Sequence, residues 1–186
     1  QMAVVLNPLI DVFGVDHVTV TTYQSVSGAG RQAIEELARQ TATLMNGQEI
    51  VAEAFPHQIA FNVIPQIDEL EDNGYTREEM KMVLETQKIF NDKTIKVNPT
   101  AVRVPVFYGH SEALHVKLKQ KVQREAVVEA LEQAVGLSVC EREYPMPTTH
   151  AAQQDGVFVG RIRQDLHDPM AFNLWVVADN VRKGAA

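Results

Sequence analysis

Within Ala101-Val-Arg103-Val-Pro-Val-Phe-Tyr-Gly109-His110-Ser-Glu, a guanidinium and an imidazole flank a glycine between two strand-like runs. A cation among β-branched residues is costly to bury unless an anion pairs with it, so a carboxylate or phosphate ligand is expected at Arg103. Gly109 lets the chain turn and leaves His110 on that turn with a pKa near working pH, suited to proton transfer. On these residues alone, a surface Arg beside a loop His is the alternative. A second pattern is Ser25-Val-Ser27-Gly28-Ala-Gly30, a glycine-rich turn between a strand and a helix. Such a turn can offer backbone N–H groups to an anion, but two glycines are too few for a dinucleotide fingerprint or a phosphate loop, and a plain turn is the default. Glu78 and Lys81, three apart, share a helix face as a site pair or as a solvated ion pair.

Other reactive residue types point to packing. Cys140, the single cysteine, sits mid-strand with no helix N-terminus or histidine near it in sequence, the setting of an inert buried thiol. His17, His57, His115, His150 and His167 show no helical i, i+4 pairing, and His110 and His115 fall on opposite faces of a strand. No metal is expected.

These groups need elements to hold them. Residues 1–13 are apolar, broken once at Pro8, and read as a buried helix. Alternation predicts a strand over Asp16 to Tyr23. A helix over 31–46 has Ile34, Leu37, Ala38, Leu44 and Met45 on its apolar face and Gly47 at its end. Residues 51–71 read as irregular structure on the core. Thr76-Arg-Glu-Glu79 is a capping box opening a helix to about Phe90, with Met80, Val83 and Leu84 inward. Strands are predicted over 94–97, 102–108, 113–119, 137–144, 157–163 and 170–179, with a helix over 122–135 ended by Gly136. Leu114, Val116 and Leu118 point inward in the third of these strands. Strands in runs rather than in alternation with helices predict an α+β class with a mixed, mainly antiparallel sheet.

At 186 residues and 45% hydrophobic, the chain buries a real core and reads as one domain. A net charge of −7 argues against nucleic acid or an anionic membrane as partner. One cysteine excludes an internal disulfide framework. No apolar run approaches the ~20 residues of a membrane span, so a cytoplasmic protein is expected. Starting on Gln1 and stopping on Gly184-Ala-Ala, the sequence leads us to expect a piece of a longer chain.

Five stretches, in one order along the chain, resemble the C-terminal catalytic and dimerisation domain of bacterial aspartate-semialdehyde dehydrogenases. They are Thr22-Tyr-Gln24-Ser-Val-Ser-Gly28-Ala-Gly; Phe61-Asn-Val-Ile-Pro-Gln-Ile-Asp68; Glu78-Glu-Met-Lys81 with Glu85-Thr-Gln-Lys88; Val102-Arg103-Val-Pro-Val with Gly109-His110-Ser-Glu; and Ala178-Asp-Asn180-Val-Arg-Lys-Gly-Ala-Ala. The resemblance implies the sheet domain of glyceraldehyde-3-phosphate dehydrogenase-like enzymes. It also implies NADPH-dependent reductive dephosphorylation of aspartyl 4-phosphate to the semialdehyde, on the route to lysine, threonine, methionine and isoleucine. By motif position, His110 is implied as acid/base and Gln24 as the amide orienting the acyl group. Arg103 is implied on the substrate carboxylate, Glu78 on its amine and Lys81 on its phosphate, with Ser27, Gly28 and Asn180 toward NADP.

The chain departs from the family in one respect. The family's nucleophile lies in an Asn-Cys-Ser-Thr motif just upstream of the residues matching Gln1-Met-Ala-Val, and that motif is absent, with the dinucleotide-binding domain and the helix that returns to it. The expectation is therefore residues 1–186 as a single domain that forms a homodimer and is inactive alone. A dimerisation module or a catalytically silent paralogue are the competing readings.

Overall fold

The computed structural model describes residues 1–183. Alternation builds the central strands. In β1 (Val15–Gln24) the residues Val18, Val20, Thr22 and Gln24 are buried while their neighbours in the strand are more exposed, and in β3 (His110–Leu118) the same holds for Leu114, Val116 and Leu118, while His110, Ser111 and Glu112 are all buried. β2 (Lys96–Arg103) turns Pro99, Ala101 and Arg103 to that face. With β4 (Leu137–Cys140), β5 (Val157–Gln164) and β6 (Ala171–Ala178), these strands form one six-stranded sheet in the order β2-β1-β3-β6-β5-β4. β1 pairs with β2 and β4 with β5 in parallel, and the three remaining pairings are antiparallel. The α+β class with a mixed, mainly antiparallel sheet is as the sequence predicts.

Helices cover one face of this sheet. α1 (Met2–Phe13) runs unbroken through Pro8 and ends at Gly14, whose φ of 67° suits a glycine and whose N–H donates to the Ile10 carbonyl at 3.0 Å. Its Leu6 and Leu9, with Val127, Val128 and Leu131 of α4 (Arg124–Glu132), bury the inward side chains of β1, β3, β5 and β6 in the main core. α3 (Arg77–Ile89) opens on the expected box: Glu79 N donates to Thr76 Oγ1 (3.2 Å) and Thr76 N to the Glu79 carboxylate (2.7 Å). It packs on β2 and adds Met82 to the main core. Leu84, expected inward, is exposed, because Glu79 and Thr86 hold the buried face instead.

α2 (Arg31–Met45) stands apart, over a second cluster of Val26, Ala33, Leu37, Ile59, Ala60 and Ile64. Its buried face is the predicted one in part: Leu37 is buried and Ile34 and Leu44 pack against the cluster. Ala38 and Met45 are exposed, while Glu36 and Gln40 are buried. The loop below explains the exchange: residues 51–60 have no ladder for their backbone N–H groups, and the two side chains supply acceptors. Glu36 Oε2 accepts from the backbones of Glu53 (3.0 Å) and Ala54, and Gln40 Oε1 from those of Ile59 (3.0 Å) and Ala60 (3.2 Å).

The two strands predicted over 94–97 and 102–108 are a single strand, β2, which ends at Arg103. Pro105 has no N–H to continue a ladder. Residues 104–108 instead bond the 3-10 turn Val26–Ala29, with Val26 N donating to Val106 O (2.9 Å) and Ser27 N to Phe107 O (3.2 Å). The segment 137–144 pairs only as far as Cys140. The sheet's other face carries Tyr23 and Trp175, ring centroids 5.6 Å apart, and the short π-helical turn Pro147–Ala151 packs against β5 and β6, with Trp175 Nε1 donating to Pro145 O at 2.8 Å.

Candidate active site

Strand direction brings the chemistry to one end of the sheet. β1 and β2 are parallel and finish together, Gln24 in register with Arg103, while β3 begins there with His110 opposite Ala178, the last residue of β6. Gln24, Arg103 and His110 all take inward positions of their strands, and α3 passes over β2 to add Glu78 and Lys81. The result is a cavity of about 560 Å³ lined by Gln24, Gly28, Glu78, Lys81, Arg103, His110 and Asn180. Seven of the eight expected site residues thus meet. The eighth, Ser27, is bonded to Asn180 behind the lining (3.2 Å).

Arg103 is 6% exposed. One guanidinium nitrogen donates to the Ser25 carbonyl at 2.7 Å, the group lies 6.0 Å over the Phe55 ring, and among the described residues it makes no ion pair. Burial lowers its pKa and the carboxylate of Glu78 partly restores it, so a cation sits desolvated with unused donors beside a cavity. Such an arrangement calls for an anionic ligand. Glu78 faces it, accepting from Gln24 Nε2 (3.2 Å) and lying 3.6 Å from Lys81 Nζ, which Asp68 also approaches at 3.7 Å.

His110 is 7% exposed, and Nδ1 accepts from the backbone N–H of Ser25 at 3.1 Å, with the Ser25 hydroxyl 3.0 Å away. Nε2 is buried without a partner. Burial, then the charge of Arg103, holds the ring's pKa down to about 3, so the imidazole is neutral, and its unpartnered Nε2 is the nitrogen open to a ligand. Gly28 keeps that approach clear. A Cβ there would lie 3.1 Å from an Arg103 nitrogen and 3.2 Å from His110 Nε2, so the backbone gains close access to both at the one position without a side chain.

Two residues of the site escaped the sequence reading. Glu112 is buried two positions along β3 from His110, with Oε2 unpartnered and its pKa raised by burial. It lies two positions after His110 on the inward parity of Leu114 and Val116, so the alternation could have exposed it. Ser25 carried no such mark, because it binds His110 and Arg103 with backbone atoms as much as with its hydroxyl. Cys140 is half-buried on β4, the edge strand opposite β2, with burial raising its thiol pKa. His115 faces the other side of the sheet, 3.1 Å from Asp165. Among the described residues no three of His, Cys, Asp and Glu gather as a metal-binding cluster, and no helix is long and apolar enough to cross a membrane.

Fold and pocket together define the class: an α+β sheet domain with a substrate-sized, charged site where four strand ends meet. The profile described as semialdehyde dehydrogenase, dimerisation domain, matches residues 6–183, and the chain belongs to that family. Aspartate-semialdehyde dehydrogenase 2 of Vibrio cholerae is 56% identical over 187 residues, covering all of this chain and 56% of its own length. The crystal structure of aspartate semialdehyde dehydrogenase II from Vibrio cholerae, complexed with ASA, superposes with a TM-score of 0.97 over 99% of this chain and 55% of that one. The Candida albicans enzyme, solved with NADP, shares the fold at 23% identity and a TM-score of 0.66, covering 97% of this chain and 50% of that one. The chain spans a little over half the length of the curated relatives it matches.

Proposed function

We propose that these residues are the catalytic and dimerisation half of an aspartate-semialdehyde dehydrogenase, reductively dephosphorylating aspartyl 4-phosphate. The observation that carries this reading is one cavity with a lone buried guanidinium, a carboxylate beside an ammonium, and a buried imidazole whose Nε2 is open. Arg103 takes the α-carboxylate of the substrate bidentately, Glu78 its ammonium and Lys81 its phosphate, while Gln24 orients the acyl carbonyl. His110 accepts the proton of the attacking thiol at Nε2 and handles the proton of the sulfur-bound tetrahedral species.

The nucleophilic cysteine and the dinucleotide domain of the family are not among these 186 residues, and Cys140 does not match the family's nucleophile. Gly28, where a Cβ would fill the space before His110, and Ser27 form the wall for NADP, with Asn180 holding Ser27. NADPH supplies hydride when bound. Turnover of L-aspartate 4-semialdehyde with NADP and phosphate, followed by NADPH absorbance, tests the reading. The full-length enzyme is expected to be active and this chain alone silent, whereas a full-length protein without turnover removes the assignment.

The sheet face bearing Tyr23 and Trp175 serves as the homodimer surface, in keeping with the family's description. Light scattering checks it, and a monomer at all working concentrations counts against it.

A further inference from the structure

We infer that Ser25 and Asn180 form a positioning relay behind His110 that lets the ring carry its proton on either nitrogen. The relay rests on the dehydrogenase reading, in which Nε2 takes and returns a proton. The backbone N–H of Ser25 donates to Nδ1 at 3.1 Å, an arrangement that holds the neutral ring with its proton on Nε2. A base at Nε2 needs the other tautomer, with the proton on Nδ1 and an acceptor for it. That acceptor is present: Ser25 Oγ lies 3.0 Å from Nδ1, and its own hydrogen goes to Asn180 Oδ1 at 3.2 Å.

One residue therefore meets both proton states of the same nitrogen, with its amide for one and its hydroxyl for the other. When Nε2 takes a proton the ring becomes an imidazolium whose Nδ1–H is accepted by Ser25 Oγ, and when Nε2 gives the proton up the neutral Nδ1–H form returns. Asn180 is held so that it can back this hydroxyl. Its Oδ1 also accepts from Ser27 Oγ (3.2 Å) and the Gly109 backbone (3.1 Å), and its Nδ2 donates to Ser27 Oγ (3.1 Å). Ser25 is fully buried and Asn180 2% exposed, so water does not replace either group. The same Ser25 bonds Arg103 through its carbonyl, coupling the orientation of clamp and acid/base. The charged side chains around the ring are Arg103 from β2, Asp179 after β6, Glu112 two residues along β3, and Glu78 across the cavity from α3.

The test reads ring-nitrogen chemical shifts of His110 by NMR, beside pH–rate profiles, in the full-length enzyme. Ser25→Ala is expected to abolish the Nδ1–H population and lower kcat about fivefold to tenfold, the rate equivalent of one neutral hydrogen bond, with KM little changed. Ser25→Thr, which keeps the hydroxyl, restores both. Asn180→Asp puts a carboxylate behind the hydroxyl, so the ring titrates at higher pH and the acid limb of kcat/KM moves up with it. Unchanged tautomer populations in Ser25→Ala, or a ring in Asn180→Asp that titrates as in the parent, overturns the relay. If Ser25→Ala does not fold, Asn180→Asp decides alone. The ring shifts need no turnover, so a parent without semialdehyde activity sinks the function while leaving the relay to be judged on the spectra.

Discussion

Two of the places where this protein buries polar side chains differ in one respect. Under α2, Glu36 and Gln40 are about as buried as anything in the core, yet each of their oxygens accepts at least one hydrogen bond, so the pair is inert. At the end of the sheet, His110 Nε2 and Glu112 Oε2 are buried with no partner, and Arg103 is desolvated without a counter-ion. Buried polar groups that are satisfied hold structure, and those left unsatisfied cost stability that only a ligand recovers. The difference locates the site without reference to any relative.

Substitutions in the two regions should therefore fail in different ways. His110→Ala is expected to lower kcat of the full-length enzyme by about 10²–10⁴, the worth of a general acid/base, with Tm kept. A near-normal rate removes His110 from the mechanism. Glu36→Ala should do the reverse. Stranding the Glu53 and Ala54 amides and the Gln40 side chain costs about 3 kcal/mol of stability, visible in urea unfolding, while kcat stays at the parent value. Loss of activity without loss of stability in this variant would break the contrast.

Protons sharpen it further. The pKa of His110 falls on folding from 6.5 to about 3, so the unfolded chain binds the extra proton. Its contribution is complete above pH 6.5 and is lost as pH drops toward 3, by about 1.4 kcal/mol per unit. His110→Gln should flatten the stability–pH curve by that slope between pH 6.5 and 4.5, and parallel curves for parent and variant would show the ring is not buried as described. Glu112 carries the opposite sign. Burial raises its pKa, so its contribution is present in acid and lost as pH rises through the folded value. Glu112→Gln, which resembles the protonated form, should raise Tm at neutral pH and converge with the parent in acid. A lower Tm at neutral pH would mean that the carboxylate has an ionic partner.

Much of this was legible in the chain. Period-two alternation marked β1 and β3, Thr76 and Glu79 marked the start of α3, and an Arg and a His around Gly109 marked the site. What periodicity misjudged were the polar residues with tertiary tasks. Glu36 and Gln40 have no place on the predicted apolar face of α2 because their partners, the amides of 53–60, lie far along the chain. Residues 102–108 read as strand because the pattern is apolar, while Pro105 and the 3-10 turn decide otherwise.

The residue types of Gln24, Glu78, Lys81, Arg103 and His110, and hence the chemistry available, are properties of the sequence alone. Their convergence is not. It depends on β1 and β2 running parallel and ending in register while β3 begins at the same edge, so that side chains 79 and 86 residues apart, Gln24 to Arg103 and Gln24 to His110, face one cavity. Only the packed sheet removes water from Arg103 and His110 as well. Desolvation is a property of everything around a group, and it makes a common cation and a common imidazole into a clamp and a neutral ring that can take a proton.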